Sequence, residues 1–200
     1  TDLKAFVNTT LGEEYEDDIE KTDAGDLQKR AEDFPLQIVP MGGLILKVGI
    51  DIQKDRFELV VWALGEGEEM WTIDYQIIEA NPTIQTDFDK LDPYLLRSYP
   101  HVSGTRLFIE SAALDTGNWT HQAYQYVRSR KRIQNWQGLE GKQHPPKLFG
   151  TKGVGSIGKP ISSKPSLVDI NAYDRVIKQG LKLYSIGTEE AKTLFHNRLQ

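Results

Sequence analysis

The run Leu44-Ile45-Leu46-Lys47-Val48-Gly49-Ile50, closed by Asp51, constrains the fold of this chain more than any other feature. A short, nearly unbroken apolar segment of this kind predicts a strand buried on both faces, as at the centre of a sheet. Pro35, Pro40 and Met41-Gly42-Gly43 punctuate the approach to it. Two further strands follow at once. Residues 56–64 carry Phe57, Leu59, Val60, Val61 and Trp62. After the turn Gly65-Glu66-Gly67-Glu68, residues 70–78 set Trp71, Ile73, Tyr75 and Ile77 on one face. Phe88, Leu91, Tyr94 and Leu95 then fall at helical spacing, which predicts a helix over residues 85–98. Residues 106–112 predict a fourth strand, and Asn118 is the expected N-cap of a helix running to about Arg130. A fifth strand is expected over residues 133–137, followed by a long basic loop over 138–165. A strand at residues 167–173, a turn at Gln179-Gly180, a strand at 181–186 and a helix from Thr188 complete the pattern. Three strands in quick succession, then helix, parallel strand, helix and strand, predict an α/β fold: a ribonuclease-H-like mixed sheet flanked by helices.

Composition narrows the function. An apolar fraction of 38%, with four Trp, eight Tyr and seven Phe, fits a globular chain. The absence of cysteine excludes disulfides and thiolate-bound zinc. No apolar run approaches the roughly 18 residues of a membrane span and no signal peptide is visible, so a soluble, intracellular chain is expected. Charge is unevenly spread beneath the net −5. Residues 1–40 hold eleven acids against four bases and read as a connector, with a short helix expected near residues 26–32. Residues 128–178 hold eleven bases against three acids. Such a basic stretch suits contact with phosphate, and Arg128, Arg130, Lys131, Arg132, Lys142, Lys147 and Lys152 are its expected DNA-binding residues. A solvated loop face would explain the same charges.

Two acids carry the candidate chemistry. Asp51 closes the most apolar strand, where an unpaired carboxylate costs desolvation energy unless a partner or cation meets it. Asp115 lies just past the fourth strand. If the first and fourth strands are parallel neighbours, both acids emerge at the carboxyl ends of the sheet, where open α/β sheets place their sites. Carboxylates gathered there can hold a pair of Mg2+ or Mn2+ ions, which oxygen-only ligands suit. Taken singly, Asp51 also fits a turn cap with Asp55, and Asp115 an Asx-turn ordering the next loop. Glu110 competes for the fourth-strand role, although an outward, salt-bridged side chain is the simpler account of it. The four His residues show no zinc spacing, and no Gly-rich phosphate-binding loop occurs, so no ATP site is expected here.

Several stretches resemble the nuclease domain of lambda-type, gpA-like terminase large subunits of tailed phages. They are Gly49-Ile50-Asp51-Ile52-Gln53-Lys54-Asp55-Arg56-Phe57-Glu58, Gly67-Glu68-Glu69-Met70-Trp71-Thr72-Ile73-Asp74-Tyr75, Leu114-Asp115-Thr116-Gly117 and Ile186-Gly187-Thr188-Glu189-Glu190-Ala191-Lys192. Phe6-Val7-Asn8-Thr9-Thr10-Leu11-Gly12-Glu13 is similar to the junction that ends the family's ATPase domain. The resemblance implies that residues 1–40 connect to a packaging ATPase domain and that residues 41–200 form a ribonuclease-H-like nuclease domain, cut short at its C-terminus. Asp51 and Asp115 would match the first and second catalytic acids, with the third beyond Gln200. It further implies two-metal hydrolysis of concatemeric double-stranded DNA, partnership with the terminase small subunit and portal protein, and a place in the host cytoplasm. A non-catalytic DNA-gripping module, or another ribonuclease-H-like nuclease such as a resolvase or transposase core, are the competing expectations. The Phe6 to Glu13 junction argues against the second.

Overall fold

The computed structural model describes residues 24–139, 144–172 and 175–199. Within the body, Phe34–Thr193, eight strands form one mixed sheet. They are β1 (Ile45–Ile52), β2 (Arg56–Leu64), β3 (Met70–Glu79), β4 (Ser98–Pro100), β5 (Arg106–Asp115), β6 (Lys147–Val154), β7 (Ser166–Ala172) and β8 (Arg175–Gly187). Their order is β3-β2-β1-β5-β6-β8-β7, with β4 paired to β5. The strands β1, β2 and β3 form the expected antiparallel meander, while β1, β5, β6 and β8 run parallel. This is the mixed, helix-flanked sheet of a ribonuclease-H-like fold. Helix α1 (Ala24–Arg30) belongs to a separate unit; within it Lys29 reaches back to Asp26 at 2.9 Å.

The period-2 alternation of β1 and β2 puts Leu46, Val48, Ile50 and Ile52 beside Ala63, Val61, Leu59 and Phe57 on one face. Phe88, Leu91, Leu95 and Tyr126 bury themselves in the same core, with Phe57–Phe88 and Phe88–Tyr126 ring centroids 4.9 and 5.6 Å apart. The other face of β1 carries Lys47, Gly49 and Asp51 and is more open, so two-sided burial of this strand is corrected to one-sided. The chain reaches β1 through Val39, which is fully buried and donates its N–H to the Pro100 carbonyl (2.8 Å).

Five other expectations change. Residues 85–98 do not form one helix. A 3-10 turn over Gln85–Leu91 passes into helix α2 (Asp92–Leu95) and then β4, because Pro93 suits a helix start and breaks an interior. Residues 133–137 are not a strand but a 3-10 turn, Ile133–Asn135, behind which Trp136 is buried and donates its indole N–H to the Arg130 carbonyl (2.9 Å). The next strand is instead β6, inside the stretch expected as loop. Helix α3 (Thr120–Ser129) is not capped by Asn118: Trp119 holds the cap position in the left-handed region (φ 52°), and no side chain caps it. Gln179 and Gly180 lie within β8, where Gln179 has φ 47° and its N–H meets Asp169 Oδ1 at 2.8 Å. Helix α4 (Thr188–Leu199) follows β8 as expected. Among the described residues no helix is long and apolar enough to cross a membrane.

Candidate active site

The register of the sheet brings the two predicted acids together. Strands β1 and β5 are parallel neighbours whose last paired positions are Ile50 and Leu114. Asp51 and Asp115 each come one residue later, so their backbones stand about 4.8 Å apart, one strand spacing. Ile50 and Leu114 are buried in the core, and alternation therefore turns both carboxylates to the opposite, exposed face at the carboxyl rim. Each is steadied locally. The Gln53 side-chain amide donates to Asp51 Oδ2, and the Gly117 N–H donates to Asp115 Oδ1 at 2.9 Å. The Asx-turn that is the alternative account of Asp115 is thus present, and it commits one oxygen of an exposed carboxylate.

A third acid, not anticipated from the sequence, stands in the same transverse row. Asp51 lies opposite Glu58 on β2, and Asp115 opposite Thr151 on β6. Glu58 was legible in principle: a hairpin turning at residues 53–55 sets 51 against 58. Its Oε2 accepts the Tyr75 hydroxyl (2.7 Å) and its Oε1 accepts Arg56 Nε (2.8 Å). The Tyr75 hydroxyl and then Arg56 hold the Glu58 carboxyl below its ordinary pKa. Asp55 and then Glu58 raise that of Arg56, so the pair stays ionised. Glu110 is not part of this row. It occupies the irregular point of the β1–β5 register and pairs with Lys47 at 3.0 Å, the outward ion pair expected of it.

The donors at this rim fit a hard divalent cation in kind: oxygen ligands, exposed, and set so close that like charge repels unless a cation intervenes. Among the described residues no group of three or more His, Asp or Glu could hold a metal between them. A pair such as Asp51 and Asp115 suits an ion that keeps several waters and shares the phosphate oxygens of its substrate, as Mg2+ does.

The expected DNA-binding residues do not gather in one place. Arg130 is removed from the set. Its side chain is 6% exposed, paired with Asp92 (2.7 Å) and Asp89, and stacked over the Tyr126 ring at 4.6 Å. A guanidinium so enclosed cannot reach phosphate. Lys152 is exposed one residue past Thr151, at the same end of the sheet, and alternation turns it to the face opposite Asp115. Helix α3 spans about 15 Å at 1.5 Å per residue and packs through Ala123, Tyr126 and Val127 on the core face, so Arg128, Lys131 and Arg132 lie at its C-terminal end, across the sheet from the face of Asp51 and Asp115. These three bases line an open groove of about 610 Å3 with Gln85, Gln125 and Asn135. Lys147, at the start of β6, lines a second groove of about 350 Å3 with Lys131. Partial desolvation, then the charges of Arg128 and Lys182, hold the Lys131 ammonium below its ordinary pKa, a crowding that an anion would relieve. Lys142 and the Phe6 to Glu13 junction lie outside the described residues.

Comparison with known proteins is consistent with this geometry. Residues 1–200 match the family described as "Terminase large subunit gpA, endonuclease domain". The chain is 35% identical over 196 residues to the terminase large subunit of Escherichia phage lambda, covering 98% of this chain and 27% of that protein. It is 30% identical over 199 residues to the terminase large subunit of Enterobacteria phage P21, covering 99% of this chain and 28% of the relative. The chain thus spans about a quarter of the length of these relatives. No solved structure matches it.

Proposed function

Given that the chain belongs to the endonuclease-domain family of gpA-type terminase large subunits, we propose that it cuts concatemeric double-stranded phage DNA with Asp51 and Asp115 as its metal-holding acids. The observation that carries this is their placement at neighbouring ends of β1 and β5, on the exposed face. Bound divalent ions would supply charge neutralisation at the phosphodiester and lower the pKa of an attacking water; the proposal is for two such ions, Mg2+ or Mn2+. The chain's own residues do the rest. Gln53 and the Gly117 N–H aim the two carboxylates, and their local bonds limit how far each can swing. The Thr116 N–H and hydroxyl both bond the Thr151 carbonyl at 2.8 Å, anchoring the segment just past Asp115 to β6.

Lys152 at the carboxyl end of the sheet and Arg128, Lys131, Arg132 and Lys147 at the far end are proposed to hold DNA phosphates. In the whole protein the domain would work beside a packaging ATPase, with the small terminase subunit and the portal as partners, in the host cytoplasm.

Nicking of supercoiled plasmid tests the assignment. The protein should nick in Mg2+ or Mn2+, fall silent in chelator, and lose cutting on Asp51→Asn while still binding DNA. Equal cutting by Asp51→Asn and the parent protein would refute the assignment.

A further inference from the structure

Arg56 opens β2 at the same rim and on the same face as Asp51. The Gln53 N–H bonds the Arg56 carbonyl (2.9 Å), so the hairpin closes with residue 53 opposite 56 and 51 opposite 58. The guanidinium is clamped along the strand. Its Nε and Nη2 both meet Glu58 Oε1, at 2.8 and 2.7 Å, while Nη1 meets Asp55 Oδ1 at 2.9 Å. Glu58 is fixed in turn by the Tyr75 hydroxyl on β3.

A guanidinium carries five N–H donors in one plane. Here three are committed, leaving one on each terminal nitrogen among the described residues. The side chain remains 39% exposed. Its ordering entropy is already spent by the clamp, and a planar fork held this way is suited to phosphate oxygens. Its place among Asp51, Asp55 and Glu58 also answers a physical difficulty. A polyanion cannot approach a row of carboxylates closely without fixed positive charge beside them.

We propose that Arg56, clamped by Glu58 and Tyr75, binds a non-bridging oxygen of the nucleic-acid backbone beside the phosphate that Asp51 and Asp115 address. Arg56 is then a substrate-binding residue, and Glu58 and Tyr75 are positioning residues. The proposal rests on the nuclease assignment above, and its test does not depend on cutting.

The discriminating variant is Arg56→Gln/Glu58→Gln, which removes the pair without changing net charge and leaves two side chains able to hydrogen-bond each other. Binding of the full chain to a short mixed-sequence DNA duplex is measured in chelator across a salt series. Loss of one phosphate contact should flatten the slope of log affinity against log salt by about 0.9 and weaken binding roughly five- to tenfold near 0.1 M salt. Arg56→Lys keeps the charge and should keep the slope. An unchanged slope in the double variant would overturn the proposal, because a purely structural pair leaves phosphate contacts intact. A flat slope in Arg56→Lys would overturn it as well. Failure of the parent protein to cut in Mg2+ counts against the nuclease assignment alone, since the slope is read without metal.

Discussion

The acid rim and the Arg130–Asp92 cluster are both made of charged side chains, and they are built on opposite terms. At Arg130 the guanidinium and Asp92 are enclosed and matched, with Asp89 pairing from the surface side. Asp92 is fully buried, accepting from Arg130 Nε and Nη2, from the Tyr126 hydroxyl (2.7 Å) and from the Gln137 N–H (2.8 Å). At the rim Asp51 and Asp115 are exposed, lie beside one another with like charge, and make one local bond each. The first arrangement holds the 85–95 segment against helix α3 and leaves nothing over for a ligand. The second is poor as structure and is what a cation would complete. Burial and pairing, rather than charge itself, separate the two roles.

Four predictions sharpen this contrast. The largest effect on stability is expected for Asp92→Ala, which strands a buried guanidinium. Breaking one side of such a pair costs about 3–5 kcal/mol, read by urea unfolding; a loss under 1 kcal/mol would show the cluster to be no more structural than the rim. Tyr126→Phe removes a hydrogen bond to the same carboxylate and should cost about 1.5–3 kcal/mol, with DNA affinity unchanged.

Stability should also fall at alkaline pH. Burial, then Asp74, raises the pKa of Tyr99 far above the ordinary phenol value, and burial, then Asp92, does the same for Tyr126. Below about pH 10 both phenols are protonated in either state. Above it the unfolded chain ionises while the folded one does not. The stabilisation is therefore complete below pH 10 and is lost as pH climbs towards the folded values. Unfolding midpoints from pH 8 to 11 test this, and Tyr99→Phe should flatten the fall.

The smallest effect on stability belongs to the rim. Asp51→Asn should change it by no more than about 0.5 kcal/mol, as exposed substitutions usually do, even as cutting disappears. A large destabilisation would make Asp51 a structural acid and collapse the distinction.

How much of this was legible in the sequence depended on how strongly each segment announced its environment. Strands β1, β2, β3 and β5 alternate or run apolar, and the positions of the two acids near neighbouring strand ends are legible because Asp51 follows Ile50 and Asp115 follows Leu114, both core residues. Strand β6 was hidden. Apart from Leu148, Phe149 and Val154 it is Lys, Gly and Thr, a loop composition, and only the parallel edges of β5 and β8 make it a strand. Arg130 sat among three other bases and looked like them. Its burial follows from Asp89 and Asp92, some forty residues earlier, a pairing that local sequence does not encode. Glu58 is hard to read for a related reason: its place opposite Asp51 comes from cross-strand register, and a lone Glu in an amphipathic strand carries no signal of its own.

The central claim is that Asp51 and Asp115 share a divalent ion. Crystals soaked in Mn2+ test it directly. An anomalous peak should appear within about 2.2 Å of an oxygen from each carboxylate, a distance suited to a small hard cation. Mn2+ bound elsewhere, with Asp51 still held by Gln53 and Asp115 by the Gly117 N–H and no ion between them, would contradict it.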